Sequence, residues 1–337
     1  MTKPKTIALV SDAWAPQVNG VVRTLSEVCN AWREHGHNVV TLTPDKFRTI
    51  PCPTYPEIRL AINAWPKMGH MLEAINADAI HIATEGPLGW AARSYCLKHD
   101  IPFTTAFHTK FPEYVNKRTG LPKRWGYALL RKFHAPAAHM MVATPSLARE
   151  LEAKGFTNCT PWTRGVDTEL FHPSKRQPLD YPAPILLYVG RVAVEKNIEA
   201  FLSLHTEGTK LIVGDGPARA DLEKRYPEAV FLGVKKGEEL ATLYASADCF
   251  VFPSKTDTFG LVMLEAMAAG TPVAAYPVTG PLDVLKDGKA AAMHETLSHA
   301  IEKALTLSRD ASREYALNFS WQRCADLLSA ALQFKSS

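Results

Sequence analysis

The sequence has no run of eighteen apolar residues, so none of its helices is expected to span a bilayer. It has no Cys-x-x-Cys pair. Cys29, Cys52, Cys96, Cys159, Cys249 and Cys324 are dispersed, which disfavours a zinc site or disulfide framework and points to reduced thiols in or near cores. A Gly-x-Gly-x-x-Gly fingerprint is missing, and with it the main support for a dinucleotide-dependent oxidoreductase. The histidines show no metal-ligand spacing and there is no Asp-x-Asp, so no metal and no other cofactor is expected. Neither sign of charge predominates: 38 Lys plus Arg against 34 Asp plus Glu leaves +4, which argues against a nucleic-acid-coating protein. A secretory leader is not expected either. The apolar run behind Met1-Thr2-Lys3-Pro4-Lys5 is short and leads into Ser11-Asp12, so a cytosolic location is expected.

What is present is material for about two domains, 337 residues of which 46% are hydrophobic. Short β-rich runs alternate with helical stretches. The strands expected are Thr6–Val10, Asn38–Thr43, Ala79–Ala83, Phe103–Ala106 and Met140–Ala143, then Ile185–Val189, Lys210–Val213, Val230–Leu232, Cys249–Phe252 and Pro272–Ala275. Such runs separated by helices signal parallel α/β sheets. A helix over Leu147–Lys154 is expected, capped by Ser146 and ended by Gly155. The proline-rich stretch 172–184 reads as an extended linker and hinge. The domains expected are therefore 1–172 and 173–314, with a last helix, within 315–337, packing back on the first.

Four loops after strands carry the chemistry. Asn19-Gly20 precedes a helix whose amides would meet an anion or sugar, and a plain turn glycine is the alternative. Gly190-Arg191-Val192-Ala193-Val194-Glu195-Lys196-Asn197 follows the first strand of the second domain, outside the edge where open parallel sheets bind ligands. There Arg191 offers a planar fork and Lys196 a point charge to a diphosphate. Gly214-Asp215-Gly216 makes a tight turn at the same edge, for contact with a nucleotide or for structure alone.

The fourth loop is the most informative. Pro253-Ser254-Lys255-Thr256-Asp257-Thr258-Phe259-Gly260-Leu261 follows a strand and opens a helix, so its free amides would face an anion. Glu265 lies inside that helix between Leu264 and Ala266-Met267, and an idle acid there is unexpected.

Arg191, Lys196, the Gly214–Gly216 turn and the acid-x7-acid element Asp257…Glu265 together resemble the retaining, nucleotide-sugar-dependent glycosyltransferases of family four. Phe47–Pro53, Ser254–Glu265 and Pro277–Asp283 resemble sulfolipid-synthase-like and mannose-directed members. The resemblance implies the GT-B fold, two Rossmann-like α/β domains facing across a cleft. It implies a nucleoside-diphosphate sugar held mainly by domain two. Glu265 would bind the ribose, and Asp257 the hydroxyls of the transferred sugar. Arg191, Lys196 and the amides around Thr258, Phe259, Gly260 and Leu261 would take the departing diphosphate. Gly190 and Gly20 join this donor set. The family usually has Glu at the first acid position, and Asp257 is one methylene shorter.

In domain one, His108 of Phe107-His108-Thr109 would face the reacting sugar by the same resemblance. Glu85 and Arg164 sit at comparable strand ends. Between Lys110 and Met140 stand seven Lys plus Arg and one acid, Glu113. The basic and aromatic stretch Lys123, Arg124, Trp125 to Arg131, Lys132 suits an interfacial helix on an anionic membrane, or a core helix with a solvated basic rim.

The expectation is a hexosyltransferase using UDP-glucose or UDP-glucuronate and a lipid acceptor such as diacylglycerol, peripheral on the inner membrane face. Asn19, Glu85 and the basic helix would serve the acceptor. Mannosyl transfer from GDP-mannose, a non-catalytic sugar-nucleotide module and a UDP-sugar epimerase are the alternatives.

Overall fold

The computed structural model describes residues 4–17, 19–52, 55–285 and 288–335. Met1–Lys3, Val18 and Pro53, which belong to stretches discussed above, and the side chains of Lys117 and Arg118 lie outside the described residues. The chain forms two compact units, Met1–Arg164 with Trp321–Ser337, and Gly165–Ser320.

The first unit holds strands β1 (Thr6–Val10), β2 (Asn38–Leu42), β3 (Thr49–Cys52), β4 (Tyr55–Ala61), β5 (Ala79–Ile82), β6 (Thr104–Phe107), β7 (His139–Val142) and β8 (Cys159–Pro161). Six of them make one parallel sheet in the order β2-β1-β5-β6-β7-β8, while β3 and β4 pair as an antiparallel ribbon. Ile7, Ala8, Leu9 and Val10 are all buried because helices cover both faces of the sheet, so β1 reads as a continuous apolar run.

The helix Gly20–Glu34 turns Leu25, Val28, Cys29 and Trp32 inward at helical spacing. The helix Trp321–Ala331 packs into the same cluster through Cys324, Ala325 and Leu328. Trp32 Nε1 donates to Ser329 Oγ at 2.7 Å and Trp162 Nε1 to the Cys324 carbonyl at 2.8 Å, so two buried indoles satisfy their N–H groups on that helix.

The second unit holds β9 (Ile185–Val189), β10 (Thr209–Val213), β11 (Val230–Gly233), β12 (Cys249–Phe252), β13 (Val273–Ala275) and β14 (Ala291–Met293). All are parallel, in the order β11-β10-β9-β12-β13-β14. The chain therefore leaves β9 toward one side of the sheet and returns to the other at β12. The loops after β9 and β12 diverge there, which makes the carboxyl edge of these strands a topological switch point.

Several expectations are corrected. Residues 165–172 belong to the second unit. Val166 N donates to the Phe319 carbonyl, and Arg313 Nη1 donates to the carbonyls of Thr168, Phe171 and Ala268 at 2.8–3.0 Å. The proline-rich stretch, expected to link the two domains, lies within the second unit and is tied to it: Lys175 pairs with Glu238, and Gln177 N donates to Ser246 Oγ at 2.9 Å. Residues 315–320 stay in the second unit, and the chain rejoins the first at Trp321. The helix Pro145–Glu152 is capped by Thr144, whose Oγ1 accepts from Leu147 N, and not by Ser146. Pro145 presets the first helical φ, which moves the cap one residue ahead of it. Four strands were not expected: β3, β4, β8 and the alanine-rich β14.

Candidate active site

In the second unit three loops are tied together at the carboxyl edge of the sheet. Gly190 N donates to the Val213 carbonyl at 2.9 Å, Val192 N to the Asp215 carbonyl at 2.9 Å, and Ala218 N to the Val192 carbonyl at 3.1 Å. The loop after β10 lies so close to the loop after β9 that a Cβ on Gly214 would stand 1.9 Å from the Gly190 carbonyl oxygen, and one on Gly216 2.3 Å from that of Val192. Glycine is required at both positions by this approach of one backbone to another. The loops after β9 and β12 are joined as well. Asn197 Nδ2 donates to the Pro253 carbonyl at 3.0 Å, and Thr256 Oγ1 to the Glu195 carbonyl at 3.2 Å.

At their junction Lys196 Nζ is ion-paired with Asp257 Oδ1. Lys196 and Asp257 were expected on different parts of a ligand, and their pairing with each other was not foreseen. Oδ2 of Asp257 is buried and has no hydrogen-bond partner among the described residues. Arg191 shares the loop, its carbonyl held by the buried Tyr188 hydroxyl at 2.9 Å. Burial and the nearby acids Asp257 and Glu195 push the Tyr188 phenol well above its usual range, so it remains a donor.

Gly260 precedes the helix Leu261–Ala268 with φ +90°, a left-handed turn that L side chains rarely adopt. A Cβ there would also come within 2.9 Å of Phe252 Cζ. The turn opens the helix, whose first amides lack carbonyl partners of an earlier turn, and Phe259 beside it is buried. Glu265 is buried one turn further, and the fully buried Tyr244 hydroxyl donates to its Oε2 at 2.9 Å. Tyr244 is the functional neighbour that sequence reasoning missed. Asp215 turns on itself instead, accepting from Gly216 N at 2.7 Å with Arg219 3.8 Å away, and is largely exposed.

In the first unit the strand ends hold a buried polar cluster. His108 follows β6, and Arg164 Nη2 donates to its Nδ1 at 3.5 Å. Burial, and next the charge of Arg164, hold the His108 imidazolium well below its usual range. His81, also buried beside Arg164, is pushed down to about 3. Glu85 Oε1 meets His134 Nε2 at 3.2 Å, and His134 Nδ1 meets Thr105 Oγ1 at 2.9 Å. The Glu85 carboxylate thus faces a histidine of its own unit, where it was expected to serve an acceptor.

Asn19 is likewise reassigned. Its Oδ1 accepts from Val21 N and Val22 N, both at 3.0 Å, so it caps the helix beginning at Gly20 and occupies amides expected to meet a ligand. Asp12, at the switch point between β1 and β5, was not expected at all. It accepts from Leu88 N and Gly89 N at 2.9 and 3.2 Å and from Thr84 Oγ1 at 3.0 Å. Burial raises its carboxyl to about 6 despite these bonds.

The helix Lys123–His134 buries Tyr127, Leu130, Phe133 and His134, so it packs into the core. Its other side nevertheless exposes Trp125 (68%) and Leu129 (55%), with Leu121, Phe111 and Val115 also exposed on the adjoining turn and helix. Lys132 is exposed beside them. Lys123, Arg124, Arg131, Lys154, Tyr127 and Glu113 line a concavity of about 490 Å³. Tyr127 Oη donates to Glu113 at 3.2 Å, and Lys123 pairs with the same acid. Among the described residues no helix is long and apolar enough to cross a membrane.

The sequence profile of Glycosyltransferase Family 4 matches residues 18–170, and that of Glycosyl transferases group 1 matches residues 183–310. Sulfoquinovosyl transferase SQD2 of Arabidopsis thaliana is 29% identical over 96% of this chain and 72% of its own. A GDP-mannose-dependent alpha-mannosyltransferase of Mycobacterium tuberculosis is 30% identical over 83% of this chain and 81% of its own. Alpha-monoglucosyldiacylglycerol synthase of Streptococcus pneumoniae is 26% identical over 90% of this chain and 79% of its own. Sucrose-phosphate synthase from Thermosynechococcus elongatus superposes with a TM-score of 0.79 at 22% identity, covering 97% of this chain and 98% of that one. Each unit is a Rossmann-like domain of the GT-B class. The chain is a glycosyltransferase and belongs to glycosyltransferase family 4.

Proposed function

We propose that the enzyme transfers a hexose from a UDP-sugar, UDP-glucose or UDP-glucuronate, to a membrane lipid such as diacylglycerol, with retention of configuration. The observation that carries the donor half is the meeting of Lys196, Asp257 and the Gly260 turn at the switch point of the second sheet. In this reading the diphosphate lies against Arg191, Lys196 and the first amides of the helix Leu261–Ala268. Donors fixed in advance where negative charge develops need no reorganisation as the glycosidic bond breaks, and this is usually the largest catalytic contribution. Glu265, oriented by Tyr244, accepts from the ribose hydroxyls. Asp257 takes hydroxyls of the hexose on Oδ2 while Oδ1 keeps Lys196 in register. The family likeness assigns His108 to the reacting sugar. The acceptor hydroxyl attacks the face the diphosphate leaves and passes its proton to the departing phosphate oxygen as the new glycosidic bond forms. The cations and amides take the neutralising role a metal would have, so transfer proceeds without one.

The acceptor half is carried by the helix Lys123–His134. A solvent-facing Trp125 and Leu129 flanked by Arg124 and Lys132 suit an anionic bilayer surface, where apolar burial and about 1 kcal/mol per basic residue add together. The likeness to alpha-monoglucosyldiacylglycerol synthase supports a diacylglycerol acceptor. Peripheral attachment to the inner membrane face follows from this reading. Mannosyl transfer from GDP-mannose is the second reading, favoured by the 30% identity to the mycobacterial mannosyltransferase.

The test is a panel of radiolabelled UDP-glucose, UDP-glucuronate and GDP-mannose with diacylglycerol in anionic vesicles. Labelled glycolipid from a UDP-sugar is the expected product. Label transferred only from GDP-mannose establishes the second reading, and no transfer to any lipid defeats both lipid assignments.

A further inference from the structure

Arg164 and His108 meet inside the first unit, on the loops that follow β8 and β6. The guanidinium is held before it reaches the imidazole. Its Nη1 donates to the Trp162 carbonyl at 2.6 Å and the Thr163 carbonyl at 3.1 Å, and its centre lies 4.2 Å from the centroid of the Trp162 ring. Trp162 is pinned in turn through Nε1 to the Cys324 carbonyl. From this seat Nη2 donates to His108 Nδ1. Both residues are buried.

A guanidinium has donors and no acceptor. Nδ1 of His108 must therefore present its lone pair, and the one proton of an uncharged ring must sit on Nε2. We infer that Arg164 is a positioning residue that fixes His108 in its Nε2–H tautomer, so that His108 meets the sugar as a hydrogen-bond donor and not as a base. This rests on the proposed placement of His108 against the reacting sugar.

The surroundings agree. The other two histidines of the cluster have partners of their own, His81 on Thr104 Oγ1 at 2.8 Å and His134 between Thr105 and Glu85. Burial and the adjacent cation keep a second proton off His108. An uncharged ring with an N–H orients a sugar hydroxyl without placing a formal charge beside the cationic sugar that forms when the glycosidic bond breaks.

The test is a two-bond proton–nitrogen correlation on the full chain labelled with ¹⁵N-histidine at pH 7, with His108 assigned by loss of its signals in His108→Gln. The wild-type ring should show the Nε2–H pattern. In Arg164→Met the pattern should become a mixture of tautomers, and kcat should fall at least about tenfold, as expected for a wrongly protonated ring. Nucleoside-diphosphate affinity should stay unchanged. Arg164→Lys, which keeps the charge and a donor, should hold the tautomer and retain more activity. An Nδ1–H or imidazolium ring in the wild type overturns the inference, as does Arg164→Met with unaltered ring signals and kcat. If Arg164→Met fails to fold, the wild-type and Arg164→Lys spectra decide. Full transfer by His108→Ala beside an intact Nε2–H pattern in the wild type defeats the placement of His108 at the sugar, and with it the donor role, but leaves the tautomer standing.

Discussion

The Tyr244 hydroxyl donates to Glu265 Oε2 at 2.9 Å, and both side chains are buried beneath the turn at Gly260. A carboxylate inside an apolar helix is costly to hold charged unless its oxygens are satisfied. Tyr244 supplies one bond from below. Phe171 stacks edge-on against its ring with centroids 5.5 Å apart and fixes it in place.

Tyr244→Phe should therefore weaken nucleotide binding without touching the diphosphate cradle. The change removes one donor from a buried carboxylate, a cost of about 1.5–3 kcal/mol for a hydrogen bond to a charged group. Calorimetric titration with UDP should show roughly tenfold weaker binding, with kcat at saturating donor changed far less. Unaltered affinity would separate Glu265 from the ribose.

The pairing of Lys196 with Asp257 gives a second expectation. Removing one cation of a preorganised cradle costs about 10²–10³ in kcat by analogy with loss of an oxyanion donor. Lys196→Ala should fall in that range, and Arg191→Ala with Lys196→Ala should leave almost no transfer while circular dichroism and melting stay near wild type. Asp257→Glu keeps the charge and adds one methylene. It should retain the fold and shift the ratio of kcat/KM between competing UDP-hexoses.

Asp12 predicts a pH dependence of stability. Its carboxyl is raised by burial from 3.8 to about 6, so the native state binds this proton more tightly than the unfolded chain does. Its contribution is most favourable below pH 3.8 and is lost as pH rises to about 6, a swing of about 3 kcal/mol against the folded state. Asp12→Asn removes the ionisation. The stability of wild type minus that of Asp12→Asn, from urea melts at a series of pH values, should therefore decrease from pH 4 to pH 7 and then level off. A difference that rises with pH would contradict the burial argument.

The solvent-facing side of the helix Lys123–His134 can be tested without disturbing its packed side. Arg124→Ala with Lys132→Ala should weaken flotation with anionic vesicles by about 2 kcal/mol, roughly thirtyfold, and raise sensitivity to salt. Trp125→Glu should abolish it. Thermal stability should be unchanged, since these side chains are exposed. Equal binding by all three proteins would remove the membrane from the account.

The α/β plan was legible because each buried parallel strand is a short, almost unbroken apolar run such as Ile185–Val189, and every candidate loop followed one. The spacing of Asp257 and Glu265 pointed to the edge after β12 through its resemblance to the family. Other elements lacked a local signal. β14 is built on Ala291 and Ala292, whose strand character comes from burial against β13 rather than from propensity. Asp12 reads as an ordinary post-strand acid, and its partners lie 72 to 77 residues away at Thr84, Leu88 and Gly89. Tyr244 sits in a helix with nothing to point to Glu265. Asn19 looks ligand-facing in the sequence, where nothing shows that its own side chain takes the amides of Val21 and Val22 first.

The first unit draws its residues from both sides of the second, since Trp321–Ala331 completes the cluster around Leu25, Val28 and Trp32. During synthesis the six-stranded sheet containing β1 thus waits, one flank only partly covered and the indoles of Trp32 and Trp162 without their partners, while residues 165–320 are made. The second unit is contiguous and can mature in the meantime. A chain released after residue 320 should therefore hold a folded second unit, while in the first the indole N–H groups of Trp32 and Trp162 go unmet.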